Sequence, residues 1–98
     1  GWASNLPEEE GYTLTLFTNG GTISDPNWKL VSDTDGMGYQ ITYYSFTSSE
    51  GSVVTLPTPI KEGDEFVGWY YEGMENKYSG STYTLTADLQ LFAALRRL

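Results

Sequence analysis

Residues 66–71 read Phe66-Val67-Gly68-Trp69-Tyr70-Tyr71, an aromatic-rich run that is typical of a β-strand. The preceding residues, Leu56-Pro57-Thr58-Pro59-Ile60-Lys61-Glu62-Gly63, contain two prolines and end in a turn-forming glycine. Proline restricts its own backbone and keeps the residue before it extended. The sequence therefore predicts an extended approach that turns at Gly63 and continues as a strand over residues 65–71.

The glycine inside the aromatic run bears on how this strand packs. Successive side chains of a regular strand alternate between its two faces. Phe66 and Gly68 are therefore expected on one face and Val67 and Trp69 on the other. A glycine in mid-strand costs about 0.5–1 kcal/mol, and close packing must compensate for it. We predict a core role for Phe66, Gly68 and Trp69, with a ligand platform as the alternative.

Two further segments alternate with the period of a β-strand. Residues 12–18 alternate Tyr, Leu and Leu with Thr, and then reach Asn19-Gly20-Gly21, which supplies the positive φ of a tight turn. Residues 38–47 alternate with apolar side chains on both faces, so this strand is expected to be central or covered. Shorter strands are predicted at residues 53–56, 83–86 and 89–93.

Two segments also fit a helix. Asp25-Pro26 can be an N-cap followed by proline at the first helical position, with an apolar face over residues 28–31. Residues 32–36 would then close this segment as a polar turn. Residues 91–98, rich in Ala, Leu and Arg, have helix propensity as well.

Composition excludes several classes of function. The 98 residues are enough for one domain, and 13 acidic against 5 basic residues give a net charge of −8. This charge argues against nucleic-acid binding and against a polybasic membrane contact. The chain has no cysteine and no histidine, so disulfides, thiolate metal sites and the commonest general base are missing. No apolar run approaches ~18 residues, so we expect no direct membrane insertion.

The chain has eight tyrosines, and two adjacent pairs fall on predicted strands. Tyr43 with Tyr44, and Tyr70 with Tyr71, each send one ring to either face of a sheet. Exposed tyrosines can stack on sugar rings or bind protein, whereas the alternative is cross-strand packing that shields the sheet. We predict packing, and we keep these four tyrosines as candidate ligand-binding residues.

The acidic clusters do not assemble into a recognisable site. Asp33-Thr34-Asp35-Gly36 begins like a calcium-binding loop, but the position that needs a bidentate glutamate is Thr42. Residues 62–65 and the pair Glu72 and Glu75 are expected to form a solvated acidic rim, because nothing places two carboxylates across a cleft. We predict no metal site, no cofactor and no enzymatic activity.

Three segments together resemble one family, the Listeria–Bacteroides repeat, also called the internalin B-repeat. Tyr12–Gly21 is similar to its opening strand, Val54–Tyr70 to its Leu-Pro-x-Pro-x-Lys-x-Gly and Phe-x-Gly-Trp-Tyr signature, and Thr86–Ala93 to its closing strand. The segments occur in the order of the family. The residues that carry the signature are Asn19, Gly20, Gly21, Pro57, Gly63, Phe66, Gly68 and Trp69.

The resemblance implies an α+β, β-rich fold: a small β-grasp-like mixed sheet of about five to six short strands, with at most one short helix. It favours a strand over a helix for Leu91–Ala93. It also implies a non-catalytic, extracellular module of secreted or cell-wall-attached bacterial proteins, often in tandem, that serves as a spacer or adhesion segment. The alternative is a glycan- or protein-binding module that uses exposed tyrosines.

The remaining expectations concern boundaries and partners. Residues 1–10 are predicted to be a linker or a cloning remnant, in which Trp2 either packs onto the domain or contacts a neighbour. Residues 11–98 are predicted to be the repeat-like domain, with an insert at about 22–50. Asp64 stands where the family has an aromatic residue. Candidate partners are a host or cell-wall glycan or protein, and the neighbouring domains of the parent chain.

Overall fold

The computed structural model describes residues 11–98, which form seven β-strands and no helix. The strands are β1 (Gly11–Phe17), β2 (Lys29–Thr34), β3 (Gln40–Ser49), β4 (Val53–Thr55), β5 (Asp64–Tyr70), β6 (Thr82–Thr84) and β7 (Leu89–Arg97). Five of them form one sheet in the order β2-β3-β1-β7-β5, while β4 and β6 form a second, two-stranded sheet. The large sheet is mixed, as expected, because β1 and β7 run parallel and the other neighbours run antiparallel.

The core lies on one face of the large sheet. The alternation of β1 places Leu14 and Leu16 on this face, where both are fully buried, and Leu91 of β7 lies beside Leu16. Val54 of β4 and Leu85, just after β6, belong to the same buried cluster, so the small sheet packs over this face. The predicted strands at residues 12–18 and 38–47 are confirmed, and β3 is central, between β2 and β1.

The signature strand β5 contains a β-bulge. Phe66 pairs with Leu95 and Gly68 pairs with the next residue, Ala94, so Val67 is the extra residue. The bulge shifts the alternation by one position and turns both Phe66 and Trp69 toward the core, with 5.3 Å between their ring centroids. The prediction that Phe66 shares a face with Gly68, and Val67 with Trp69, is therefore wrong.

Gly68 allows a close approach, as the sequence predicts. A Cβ atom at Gly68 would lie 2.5 Å from Cε of Lys77. Lys77 reaches this position because the chain reverses after β5, where the N–H of Tyr71 donates to the carbonyl of Asn76 at 2.9 Å and an isolated bridge pairs Tyr70 with Lys77.

The proline-rich approach is held by one partly buried hydrogen bond and one bridge. The indole N–H of Trp69 donates to the Pro57 carbonyl at 2.9 Å, and Trp69 is only 5% exposed. Thr22 and Ile60 exchange two backbone hydrogen bonds of 2.8 and 2.9 Å. These contacts tie the approach both to β5 and to the loop that follows β1.

Tight turns flank the approach on both sides. Asn19 and Gly20 adopt positive φ of 54° and 95°, and Gly63 adopts 87° where the chain turns into β5. Gly21 lies against the approach itself: a Cβ atom there would be 3.0 Å from Cβ of Pro59 and 3.3 Å from the Thr18 carbonyl oxygen. The signature residues thus act together to dock the approach onto the turn after β1.

The helix hypothesis for residues 25–31 is wrong. The Asp25 carboxylate accepts the N–H of Asn27 at 3.0 Å, and the N–H of Trp28 donates to the Asp25 carbonyl, which closes a turn. Asp followed by Pro fits a turn as well as a helix N-terminus. The chain then continues as β2, which pairs with β3 from Lys29 to Thr34.

The polar turn also lies later than expected. Residues 32–34 belong to β2, and the turn begins at Asp35, whose carboxylate accepts the N–H groups of Met37 and Tyr39 at 2.9 Å each. This is the geometry of an Asx turn, in which a carboxylate replaces a backbone acceptor. The start of the calcium-like sequence is therefore engaged in holding the β2–β3 hairpin.

The C-terminal segment is a strand. β7 continues to Arg97 because Asp64, Glu65 and Phe66 pair with its last residues, and this pairing outweighs the helix propensity of residues 91–98.

The strands number seven, more than the expected five to six, and the likeness to the β-grasp stays a prediction. Residues 22–50 supply β2 and β3. The linker predicted at 1–10, with Trp2, lies outside the described residues.

No helix that is long and apolar enough to cross a membrane occurs within residues 11–98.

The hydrogen bond between Trp69 and Pro57 is expected to contribute to stability. Trp69→Phe keeps an aromatic ring in the core but leaves the Pro57 carbonyl without its donor. We expect Trp69→Phe to lower the free energy of unfolding by about 1–2 kcal/mol more than Trp28→Phe, measured by urea denaturation. Trp28 is the matched control because it is also 5% exposed and packs through its ring against Phe46. Equal losses for the two variants contradict this role.

The close approach at Gly21 predicts a second difference. Gly21→Ala pushes a methyl group against rigid neighbours, Pro59 and the Thr18 carbonyl, and should cost about 1–3 kcal/mol. Gly36→Ala is the control, because no atom lies within 4 Å of a Cβ there. Thermal unfolding of both variants provides the measurement. A Gly21→Ala protein as stable as the Gly36→Ala protein would show that the loop does not dock as described.

Candidate functional site

The face of the large sheet opposite the core carries a row of side chains that crosses all five strands. We call it the outer row, and it consists of Val31, Tyr43, Phe17, Phe92 and Tyr70, in the order of the strands. Val31 pairs directly with Tyr43, and Phe92 pairs with both Phe17 and Tyr70. Adjacent strands lie about 4.8 Å apart, so one row of aligned residues forms a nearly continuous surface.

Three of the four rings of the outer row contact one another. Phe17 and Phe92 are stacked, with 4.7 Å between centroids and an angle of 8° between the rings. Phe17 and Tyr43 are tilted by 48° at 5.4 Å. All five side chains are half-buried, so Val31 and each of the four rings retain some surface that solvent or a ligand can reach. Such rings can stack on a sugar or pack against protein side chains.

A polar row lies beside the outer row on the same face. Ser45, Thr15 and Gln90 are paired across β3, β1 and β7, two residues along from Tyr43, Phe17 and Phe92. Two residues of a strand span about 7 Å, so the two rows lie side by side. The face therefore places hydroxyl and amide groups next to aromatic surface.

Two open clefts adjoin these rows. One, of about 480 Å³, is lined by Phe17 and Phe92 together with Ile41 of β3 and Met74 of the loop after β5. The other, of about 650 Å³, is lined by Thr13, Thr15 and Gln90, with Tyr71, Glu72, Asp88 and Leu89 around them. The first cleft places the rings of Phe17 and Phe92 at its edge, whereas the second is bordered by the carboxylates of Glu72 and Asp88.

The four candidate tyrosines do not form one patch. Tyr43 and Tyr70 belong to the outer row, three strand spacings apart, or about 14 Å. Tyr44 faces the core opposite Leu16 and is 7% exposed. Tyr71 is 39% exposed and stands edge-on to Tyr78, with 5.8 Å between centroids.

Phe17, Phe92 and Val31 complete the outer row, and the sequence reasoning missed all three. A signal exists in the alternation itself. In β1 the outward positions are Thr13, Thr15 and Phe17, and in β7 they include Gln90 and Phe92. An aromatic residue at a position where the alternation calls for a polar one indicates either a covered face or a binding surface.

A second aromatic cluster holds the chain between β5 and β7. Tyr78 lies edge-on to both Tyr71 and Tyr83, at 5.8 and 6.2 Å. The Tyr78 hydroxyl donates to the Thr82 carbonyl at 2.6 Å, and the Tyr83 hydroxyl donates to the Ala87 carbonyl at 3.0 Å. Burial, and then the hydroxyls of Tyr71 and Tyr83, raise the pKa of Tyr78 above its usual 10.0. These hydroxyls serve local structure.

Ion pairs engage two of the acidic residues near the signature. The Asp64 carboxylate lies 3.4 Å from Nε of Arg97 and 3.8 Å from Nζ of Lys61. Glu65 contacts Arg96 at 2.9 Å. Asp64, which replaces the aromatic residue of the family, thus contacts the end of β7. Within residues 11–98, no three His, Cys, Asp or Glu side chains come together as metal ligands would.

Comparison with known proteins places this geometry in one family. The sequence model of the Listeria-Bacteroides repeat domain matches residues 12–94, which is most of the chain and includes every signature residue. No curated protein and no solved structure matches the chain significantly. This repeat domain is a non-catalytic module that occurs in bacterial surface proteins. The protein therefore belongs to the Listeria-Bacteroides repeat domain family.

Proposed function

We propose that the protein is a non-catalytic extracellular module of a bacterial cell-surface or secreted protein, and that it serves as a spacer in that protein. The family supports the location, because it is typical of bacterial surface or extracellular proteins. The lack of histidine and cysteine supports a non-catalytic role, since it removes the commonest general base and the strongest nucleophile. The neighbouring domains of the parent chain are its immediate partners.

The observation that carries the spacer role is the parallel pairing of β1 with β7. The first strand of the domain and the last one are neighbours and run in the same direction. The chain therefore enters at one pole of the sheet and leaves at the other. About eleven residue steps separate Gly11 from Arg97 along the paired strands, which at about 3.3 Å per residue corresponds to about 35 Å.

This geometry suits a module that separates its neighbours. A domain whose ends lie together adds little length to a chain, whereas one whose ends lie at opposite poles adds its full axial length. Repeated in tandem, such domains extend a surface protein away from the cell.

The length per copy provides the test. Two and three copies of the 98-residue chain, joined in tandem, should show a maximum dimension in small-angle X-ray scattering that grows by at least about 35 Å per added copy. The single chain is the control for the dimensions of one domain. Growth far below this value would mean that the copies pack side by side, and it would contradict the spacer role.

A second function, adhesion through a glycan or protein, is favoured by the outer row. The row combines half-exposed rings with the parallel polar row of Ser45, Thr15 and Gln90. Glycan-binding surfaces need this combination, because the apolar face of a sugar stacks on a ring while its hydroxyls hydrogen-bond to polar groups. A host or cell-wall glycan is therefore the ligand that the surface fits best.

Substitution of the two outer-row tyrosines tests adhesion. On an array of host and bacterial cell-wall glycans, the protein should bind, and Tyr43→Ala and Tyr70→Ala should each weaken binding by about 1 kcal/mol, roughly fivefold in Kd. Tyr39→Ala is the matched control, because Tyr39 is 67% exposed and lies outside the row. Thermal unfolding verifies that each variant is folded. An array without signal, or equal losses for all three variants, would contradict a role of the outer row in adhesion.

A further inference from the structure

We propose that the parallel pair of β1 and β7 is a mechanical clamp that bears tension along the parent chain. This inference rests on the proposed spacer role, since a spacer between a cell and a surface transmits force through its two ends. The force enters at Gly11 and leaves beyond Arg97, and these residues lie at opposite ends of two neighbouring strands. Tension therefore pulls β1 and β7 past each other along their own axes.

The direction of the force decides how the hydrogen bonds share it. The hydrogen bonds of a parallel pair are evenly spaced and slanted between the two strands. Sliding therefore loads all of them together, whereas peeling the strands from one end breaks them one after another. The pair extends over four register positions, from Leu14 opposite Leu89 to Phe17 opposite Phe92. In the sliding geometry these bonds must fail almost simultaneously, which requires a higher force.

The rest of the sheet directs the load onto this pair. β1 is held on its other side by β3 through six register positions, and β7 is held by β5 through six as well. The two longer antiparallel ladders each fix one of the loaded strands. β1 and β7 are therefore the interface at which the two halves of the sheet separate under tension.

The core face of the clamp is shielded from water along the ladder, and the other face is shielded at the last pair of the ladder. On the core face, Leu14, Leu16 and Leu91 have no exposed surface. On the other face, the stacked rings of Phe17 and Phe92 lie over the last pair of the ladder. Water cannot easily replace the backbone hydrogen bonds at these shielded positions, so breaking them costs more than breaking exposed ones.

Asp88 lengthens the clamp at its first end. Its Oδ1 atom accepts the backbone N–H of Thr13 at 2.8 Å, one position before the ladder begins. A hydrogen bond to a carboxylate is stronger than one between neutral groups. Asp88 thus adds one hydrogen bond between β1 and the start of β7.

Single-molecule pulling in two directions tests the clamp. The 98-residue chain, placed between reference domains, is pulled from its N-terminus and C-terminus, so that β1 and β7 slide. In the second geometry it is pulled from its N-terminus and from a thiol at Ala87→Cys, an exposed position two residues before β7. The chain has no other cysteine, so this attachment is unique. Here both strands are pulled from the same end and peel apart.

We expect the unfolding force in the sliding geometry to exceed that in the peeling geometry severalfold. Equal forces in the two directions would overturn the clamp. This comparison requires no destabilising substitution in the core, because Ala87 is exposed.

Two variants of one side chain test the contribution of Asp88. Asp88→Ala removes the acceptor and should lower the unfolding force in the sliding geometry, while Asp88→Asn keeps a neutral oxygen acceptor and should lower the force less. An unchanged force for Asp88→Ala would overturn the role of Asp88.

The same traces separate the clamp from the spacer role. The length that each folded domain adds before it unfolds should be about 35 Å. Full length with equal forces in the two directions contradicts the clamp and supports the spacer, whereas a much shorter folded length contradicts the spacer and, with unequal forces, supports the clamp.

Discussion

The parallel contact between β1 and β7 is the interaction on which the rest of this domain depends. It joins the first strand to the last, places Leu14 and Leu16 beside Leu89 and Leu91 in the core, and stacks Phe17 on Phe92 on the opposite face. Without it the sheet divides into a β2-β3-β1 unit and a β7-β5 unit. The partners are separated by about 75 residues, so the contact closes a long loop and requires the intervening chain to be ordered.

The family signature makes that closure possible. Pro57 and Pro59 stiffen the chain between the small sheet and β5, Trp69 binds the Pro57 carbonyl, and Gly21 lets the approach lie against the turn after β1. The bulge at Val67 then turns Phe66 toward the same face as Trp69. These residues position β5 beside β7, and β7 in turn beside β1. Within the aromatic run at residues 66–70, Phe66 and Trp69 pack in the core, and Tyr70 is the outward-facing aromatic residue.

The sequence predicts those elements whose signals are local. Alternation suffices for β1 and β3, and the prolines and Gly63 suffice for the start of β5. Asp25-Pro26 fits both a helix N-terminus and a turn, and only the pairing with β3, which is a tertiary contact, decides for the strand. The sequence does not predict the β-bulge either, because no residue type requires Val67 to be the extra residue of β5. The outer row was predictable only in part. Alternation indicates that one tyrosine of each pair faces outward, but the choice of Tyr43 and Tyr70, and their link through Phe17 and Phe92, needs the strand order and the bulge.

Hydrogen exchange of backbone amides, followed by NMR, tests the central position of the β1–β7 pair most directly. If the two halves of the sheet are joined there, the amides of residues 14–17 and 89–92 should exchange last, and only through global unfolding, because they lie between two further strands and under buried leucines. The amides of the edge strand β2 should exchange earlier, through local opening. Exchange of the β1 and β7 amides as fast as that of β2 would contradict this description, because it would mean that the pair opens while the rest of the domain stays folded.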